Sequence, residues 1–312
     1  MCSVCITSLL FSAYSHRHLR LALNMPPHDL RLAHETDLGQ LYQGDCLNLL
    51  ATMEVDSVDL VFADPPFNLD KDYGEGIDDA RDDDDYLAWS YKWVDECARV
   101  LAPGGSIFIY NLPKWNTHLA HHLSESGIDF RHWIAVDLKM SLPIPGRLYP
   151  SHYSLIYFSK GRPKAFTRPR VPIPTCRHCG GDIKDYGGHR KKLHPEGLNL
   201  TDVWTDIAPV RHRGKKRRGP NELSEKLLER VLTIASEEGD LVFDPFGGSG
   251  TTYAVAERMH RHWIGIELGD IEPIVARLEG RDHHVPAPGK GDAGKGMIAD
   301  RATPGTDHPS LF

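Results

Sequence analysis

The chain has 312 residues, of which 25% are charged and 40% hydrophobic, and a formal net charge of −7. Such a length holds one large α/β domain with an inserted region, or two modest domains, and no apolar run approaches the length of a membrane span. The acidic total does not favour a nucleic-acid partner, yet the charge is unevenly spread: Asp78, Asp79 and Asp82 to Asp85 are set against a basic stretch from Arg211 to Arg218. A locally basic face keeps nucleic acid open as a partner. The six cysteines, at 2, 5, 46, 97, 176 and 179, show no disulfide-framework spacing and fit a reducing cytoplasm. Residues 1–24 read as an extension ahead of an alternative start at Met25. Their apolar stretch Val4 to Ala13 lacks the basic flank and cleavage site of a signal peptide.

In chain order, Val58 to Ala63 predicts a buried strand ended by Asp64-Pro65-Pro66. Tyr86 to Leu101 carries Leu87, Trp93, Val94, Ala98 and Leu101 at helical spacing, and Pro103-Gly104-Gly105 stops that helix. Ser106 to Tyr110, His132 to Leu138 and Tyr153 to Phe158 follow as strands, the last placed near a sheet edge. From Lys160 to Gly219 the periodicity collapses into prolines, glycines and basic residues, which predicts a loop-rich insertion outside the core. A helical face of Leu223, Leu227, Leu228, Val231, Leu232 and Ala235 then leads to the strand Leu241 to Asp244. A glycine turn, a helix over Thr251 to Met259 and a strand from His262 to Leu268 complete the pattern. The tail from Asp282 reads as disordered. Strands alternating with helices predict a doubly wound, mostly parallel α/β sheet, with ligand sites at the carboxyl ends of its strands.

Two motifs sit at such ends. In Asp244-Pro245-Phe246-Gly247-Gly248-Ser249-Gly250-Thr251 a strand runs through glycines into a helix start, whose free amides suit anionic or polar groups. Glu267 ends the next strand, where an acid can take both hydroxyls of a ribose; a plain tight turn with an exposed acid is the simpler alternative. In Asp64-Pro65-Pro66-Phe67 a carboxylate and a backbone carbonyl can accept both hydrogens of an amino group, drawing its nitrogen toward tetrahedral geometry. The prolines stiffen the loop and remove competing donors, and Phe67 offers a flat face to a base taken out of a duplex.

Together the motifs and their order resemble the permuted β group of DNA amino methyltransferases, the adenine-N6 and cytosine-N4 type, over roughly residues 38–280. In that group the catalytic segment precedes a target-recognition region, which precedes the cofactor loop. The resemblance implies a class I S-adenosylmethionine-dependent methyltransferase fold acting on double-stranded DNA. It implies Asp64 as catalytic carboxylate, with Pro65 supplying its carbonyl, Pro66 in the same stiff loop and Phe67 stacking on the base. Asp244, Phe246, Gly248, Gly250 and Thr251 would line the cofactor, with Glu267 on its ribose and Asp45 near its adenine. An initial Asp is commoner with adenine N6 and an initial Ser with cytosine N4, so adenine N6 is the expected target, with cytosine N4 as the alternative. Relatives often carry Tyr at the position of Phe67, and their Pro-Thr-x-Lys-Pro segment reads here Pro220-Asn221-Glu222-Leu223-Ser224. No Pro-Cys dipeptide occurs, against cytosine C5 methylation. A homodimer and a cognate restriction nuclease are expectations of the same resemblance. Protein-glutamine methyltransferases begin the motif with Asn; a nicotinamide dehydrogenase leaves Asp64 to Phe67 unexplained; a non-enzymatic DNA-binding module would retain DNA without transferring methyl.

The sequence divides into residues 1–24, the first catalytic half 25–159, the recognition insertion 160–219, the second half 220–281 and the tail 282–312. Within the insertion, Cys176-Arg177-His178-Cys179 has the shape of a zinc knuckle, with His189 and His194 the nearest further ligands. A structural zinc and two free thiols are both open there. Arg211, Arg213, Lys215, Lys216, Arg217 and Arg218 are expected to contact phosphates, and Trp204 is expected to be local core.

Overall fold

The computed structural model describes residues 30–68, 81–138, 146, 148–176, 178–182, 184, 187–208 and 222–281. The extension, the basic stretch 211–218 and the tail lie outside these described residues. The chain opens with β1 (Arg31–Glu35), β2 (Gly39–Gln43), α1 (Cys46–Leu50) and β3 (Val58–Ala63). There follow α2 (Asp83–Val100), β4 (Leu101–Asn111), α3 (Pro113–Glu125), β5 (Asp129–Asp137) and β6 (His152–Ser159). The insertion contributes β7 (Arg170–Val171), β8 (Leu198–Asn199) and β9 (Val203–Trp204). The second half supplies α4 (Glu225–Ala235), β10 (Leu241–Asp244), α5 (Thr251–Arg258), β11 (His262–Glu267) and α6 (Glu272–Leu278).

One nine-stranded sheet runs β1-β2-β11-β10-β3-β4-β6-β5-β9. Its centre, β2-β11-β10-β3-β4, is parallel throughout. Because these strands are covered on both faces, their side chains alternate between two apolar layers. Leu60, Phe62, Phe108, Tyr157 and Val242 face α4 and α5, whereas Val61, Ala63, Ile107, Phe158 and Phe243 face α1, α2 and α3. This is the doubly wound α/β architecture expected from the sequence. From β3 the chain proceeds outward to β4, and from β10 it proceeds the other way to β11, so the strand order reverses between two neighbours. Such a switch point opens a crevice at the carboxyl ends of the strands.

Two expectations change. The strand over Tyr153 to Phe158 is internal, because β6 pairs antiparallel with both β4 and β5. The insertion, expected to lie outside the core, reaches it at both ends: Ala165, Trp204 and Ile207 are buried, and β9 extends the sheet beside β5. Trp204 is core, as expected; its Nε1 donates to the Thr201 carbonyl (2.8 Å), and the Arg230 guanidinium lies 4.9 Å from its ring centroid.

The seam between β10 and β11 is set by one tyrosine. The Tyr253 ring stacks on Trp263 (centroids 5.0 Å apart), and its hydroxyl donates to the Asp244 carbonyl (3.0 Å) while accepting from Ile266 N–H (3.2 Å). Gly265 lies under that ring, where an added Cβ would stand 2.2 Å from the phenol carbon Cζ. Replacing Gly265 with Ala is therefore expected to cost about 1–3 kcal/mol by overpacking, read as a lower urea midpoint with an unchanged slope.

Candidate active site

The five parallel strands of the centre deliver their carboxyl ends to one rim, and each ends in a polar residue of the site. Asp45 follows β2, Glu267 ends β11, Asp244 ends β10, Asp64 follows β3 and Asn111 ends β4. The loops around Asp64 and Phe246 thus leave adjacent strands on the same side of the sheet.

In the first loop Asp64 Oδ1 is buried and has no hydrogen-bond partner. Burial pushes its carboxyl well above the usual range, and the nearby Asp244 charge pushes it further in the same direction. The loop is clamped from behind. Tyr86 Oη donates to the Pro66 carbonyl (2.7 Å), Asn111 Nδ2 donates to Tyr86 Oη (3.0 Å), and Trp115 Nε1 donates to the Phe67 carbonyl (2.8 Å). No donor among the described residues reaches the Pro65 carbonyl, so the head of the motif keeps two acceptors available, Asp64 Oδ1 and Pro65 O. Phe67 is 4% exposed, with its ring tilted against Tyr153 (5.4 Å) and Tyr110 (6.2 Å). Burial and the Asp64 charge raise the phenols of both tyrosines, which places them as neighbours of that carboxylate. Sequence reasoning gave none of Tyr86, Asn111, Tyr110, Trp115 and Tyr153 a place in the site; Tyr86, Tyr110 and Tyr153 entered it only as ends of predicted elements.

The second loop is organised by its own acids. Phe246 N–H donates to Asp244 Oδ1 (2.9 Å), and the Thr252 hydroxyl donates to the same carboxylate. Glu267, 8% exposed, accepts from Gly248 N–H through Oε2 (2.7 Å) and from Gly269 N–H through Oε1 (3.0 Å). Gly250 caps α5 in the left-handed region (φ 74°) and packs on Ile274, where a Cβ would meet Cγ2 at 2.7 Å. Thr251 opens the helix beneath it, its hydroxyl 3.1 Å from that of Ser249. The Phe246 ring lies edge-on to Trp93 (5.2 Å) and tilted to Trp89 (5.8 Å). Asp45 caps α1 through Oδ1, which accepts from Leu47 N–H (2.8 Å). This donor set fits S-adenosylmethionine: acids for ribose hydroxyls and a cation, an aromatic wall for an adenine, and glycines that let the backbone come close.

One anchor was invisible in the motif comparison. Where relatives carry the Pro-Thr-x-Lys-Pro segment, Glu222 forms a buried ion pair with Arg277, whose Nε donates to the Ser249 carbonyl of the cofactor loop (2.9 Å).

The knuckle at Cys176 turns as expected. Cys176 N–H donates to the Gly181 carbonyl (2.7 Å), Gly180 N–H donates to the Cys176 carbonyl (2.8 Å), and the Cys176 thiol is held below its usual value by the amides of Cys179 and His178. Yet no group of three or more His, Cys, Asp or Glu that could hold a metal forms among the described residues. His194 is engaged in its own turn with Glu196. A tetrahedral zinc site needs two ligands beyond the two thiols, and the described residues bring no such group together.

Taken as a class, the fold and this rim are those of a nucleotide-cofactor enzyme with an acceptor carboxylate beside the cofactor loop. Residues 58–272 match the family model described as DNA methylase, of the N6/N4 type. The chain is 57% identical over 248 residues to the Type II methyltransferase M.BamHI of Bacillus amyloliquefaciens, a match covering 79% of this chain and 58% of that protein. It is 34% identical to M.HpaI of Haemophilus parainfluenzae, covering 77% and 74%. Among solved structures it resembles the PvuII DNA methyltransferase (cytosine-N4-specific), with TM-score 0.60 and 23% identity over 82% of this chain and 91% of that one. It also resembles M1.HpyAVI in complex with SAM, with TM-score 0.54 and 19% identity over 78% and 98%. The chain belongs to the N6/N4 DNA methylase family. It spans little more than half the length of M.BamHI. No described helix is long and apolar enough to cross a membrane.

Two outcomes test this geometry. Burial, with Glu267 nearby, raises Asp244 from 3.8 to about 7, so the folded state holds a proton there that the unfolded chain releases. Stability should therefore fall as pH rises from about 4 to about 7, and Asp244→Asn should remove that component from the difference between two urea-unfolding series. Arg277→Ala removes the buried guanidinium that pairs with Glu222 and holds the Ser249 carbonyl, and should cost about 3–5 kcal/mol, measured in the same way.

Proposed function

We propose that this chain transfers a methyl group from S-adenosylmethionine to the exocyclic amino nitrogen of a base flipped out of double-stranded DNA. The observation that carries this reading is a buried carboxylate oxygen with no hydrogen-bond partner, Asp64 Oδ1, followed by the Pro65 carbonyl, directly after a strand adjacent and parallel to the one that ends in the cofactor loop. An amino nitrogen of adenine or cytosine is a poor nucleophile because its lone pair is delocalised into the ring. Two acceptors on its two hydrogens favour the pyramidal nitrogen, whose lone pair then points away from them. S-adenosylmethionine, when bound, supplies an electrophilic methyl on a cationic sulfonium. Sulfur would keep the electron pair of the bond that is broken, and one proton would have to leave the methylated nitrogen. Asp64, with its carboxyl raised by burial, is the group at hand to hold it. Glu267 takes ribose hydroxyls, Asp45 and Phe246 bound the adenine, and Phe67 with Tyr110 and Tyr153 forms an aromatic wall for the incoming base. The basic stretch 211–218 contacts phosphates of the duplex.

Two nitrogens fit this pocket, each with its own support. Adenine N6 is implied by the Asp that opens the motif, whereas cytosine N4 is the target named for the PvuII enzyme that shares the fold. Digestion to nucleosides and mass spectrometry, on DNA from cells expressing the protein, will show N6-methyladenine or N4-methylcytosine; neither product refutes the reading. Asp64→Ala is expected to bind S-adenosylmethionine with near-unchanged affinity by calorimetry while losing roughly a hundred-fold or more in methyl transfer.

A further inference from the structure

Among the described residues, two adjacent apolar side chains stand exposed just ahead of β6. Leu148 is 95% exposed and Tyr149 is 59% exposed, next to each other in sequence. Single exposed apolar residues are ordinary, but the position of this pair is not. Asn111 at the carboxyl end of β4 pairs with Ser154 of β6, and Asp137 at the end of β5 pairs with His152. Leu138 N–H donates to the Ser151 carbonyl (2.9 Å) and closes the ladder there. Residues 148 and 149 therefore enter the sheet from the rim that carries Asp64, two and three residues ahead of the end of the ladder. Tyr153, whose phenol is raised by the Asp64 charge, is only four residues beyond Tyr149, a span of at most about 14 Å of extended chain.

A base that enters this pocket must leave its stack, and its departure opens a gap between neighbouring base pairs. Burying a leucine-sized side chain there removes apolar surface from water, and a tyrosine ring stacks on the exposed base faces. Both offset the cost of unstacking. We propose that Leu148 and Tyr149 form an apolar wedge that inserts into the target duplex and fills the space vacated by the flipped base. This rests on the base-flipping methyltransferase reading above, and it assigns the unstacking step to a pair of residues that touch neither cofactor loop nor catalytic carboxylate.

The test is single-turnover methylation with the full-length protein, on a short duplex bearing the site located by sequencing that reads modified bases. The duplex is prepared with the target normally paired and with the target opposite an abasic position. Absence of transfer by the unaltered protein on both would overturn the methyltransferase reading itself. Leu148→Ala/Tyr149→Ala, with an unchanged thermal midpoint, should lose about ten-fold or more on the paired duplex and return to within about two-fold of the unaltered rate on the abasic one, where unpairing is already done. Leu148→Met/Tyr149→Phe should keep the rate on both. Equal losses on the two duplexes, or no loss on either, would overturn the wedge while leaving the methyltransferase reading intact.

Discussion

Everything at the rim depends on the parallel pairing of β3 with β10. It brings together two loops that lie some 180 residues apart in the chain, and with them several carboxylates in a small buried volume. Asp64 and Asp244 are both raised by burial, and each feels a neighbouring acid: Asp244 for the former, Glu267 for the latter. An arrangement of this kind is unfavourable in an empty protein, because like charges are held together away from water. It becomes favourable when a cation is placed among them. A cationic ligand would favour the ionised forms of these carboxyls, which burial otherwise disfavours.

The supports of the two loops differ in kind. Around Gly248 and Glu267 the backbone amides are already satisfied by the acid that would face a ribose, so this loop is held in shape before any ligand arrives. Around Asp64 the supports grip the later residues of the motif: Tyr86 and Trp115 hold the carbonyls of Pro66 and Phe67, and Asp64 Oδ1 keeps its capacity to accept. Both prolines remove backbone donors that might otherwise turn inward to occupy those acceptors. The clamp therefore fixes position without consuming the groups needed for chemistry.

Much of this was legible in the sequence, for reasons that can be named. The strand Leu241–Asp244 was read to the residue, because a short apolar run between Gly239-Asp240 and a glycine turn leaves no room for another element. The order of motifs along the chain carried the family. What escaped was structure whose signal is weak or non-local. Helix α3 buries Trp115, Leu119 and Leu123 at regular four-residue spacing, but three histidines and a lysine dilute the pattern, and it went unassigned. The clamp of Tyr86, Asn111 and Trp115 joins three elements and has no local signature. The insertion looked peripheral because its prolines and glycines mask the few apolar residues, Ala165, Trp204 and Ile207, that anchor it. The cysteine knuckle shows the converse: a local shape is present, and no cluster of further ligands gathers beside it among the described residues.

The insertion leaves the core where Thr167 N–H donates to the Ile234 carbonyl (3.0 Å), and it returns where Asp206 grips Arg230 with both oxygens (3.0 and 2.8 Å). Both fastenings belong to a single helix, α4. Near the second end β9 also pairs with β5 and Trp204 sits in the core, so the holds on the sheet and on α4 lie outside the span enclosed by the β7–β8 pair. A change of length inside that span leaves both fastenings where they are.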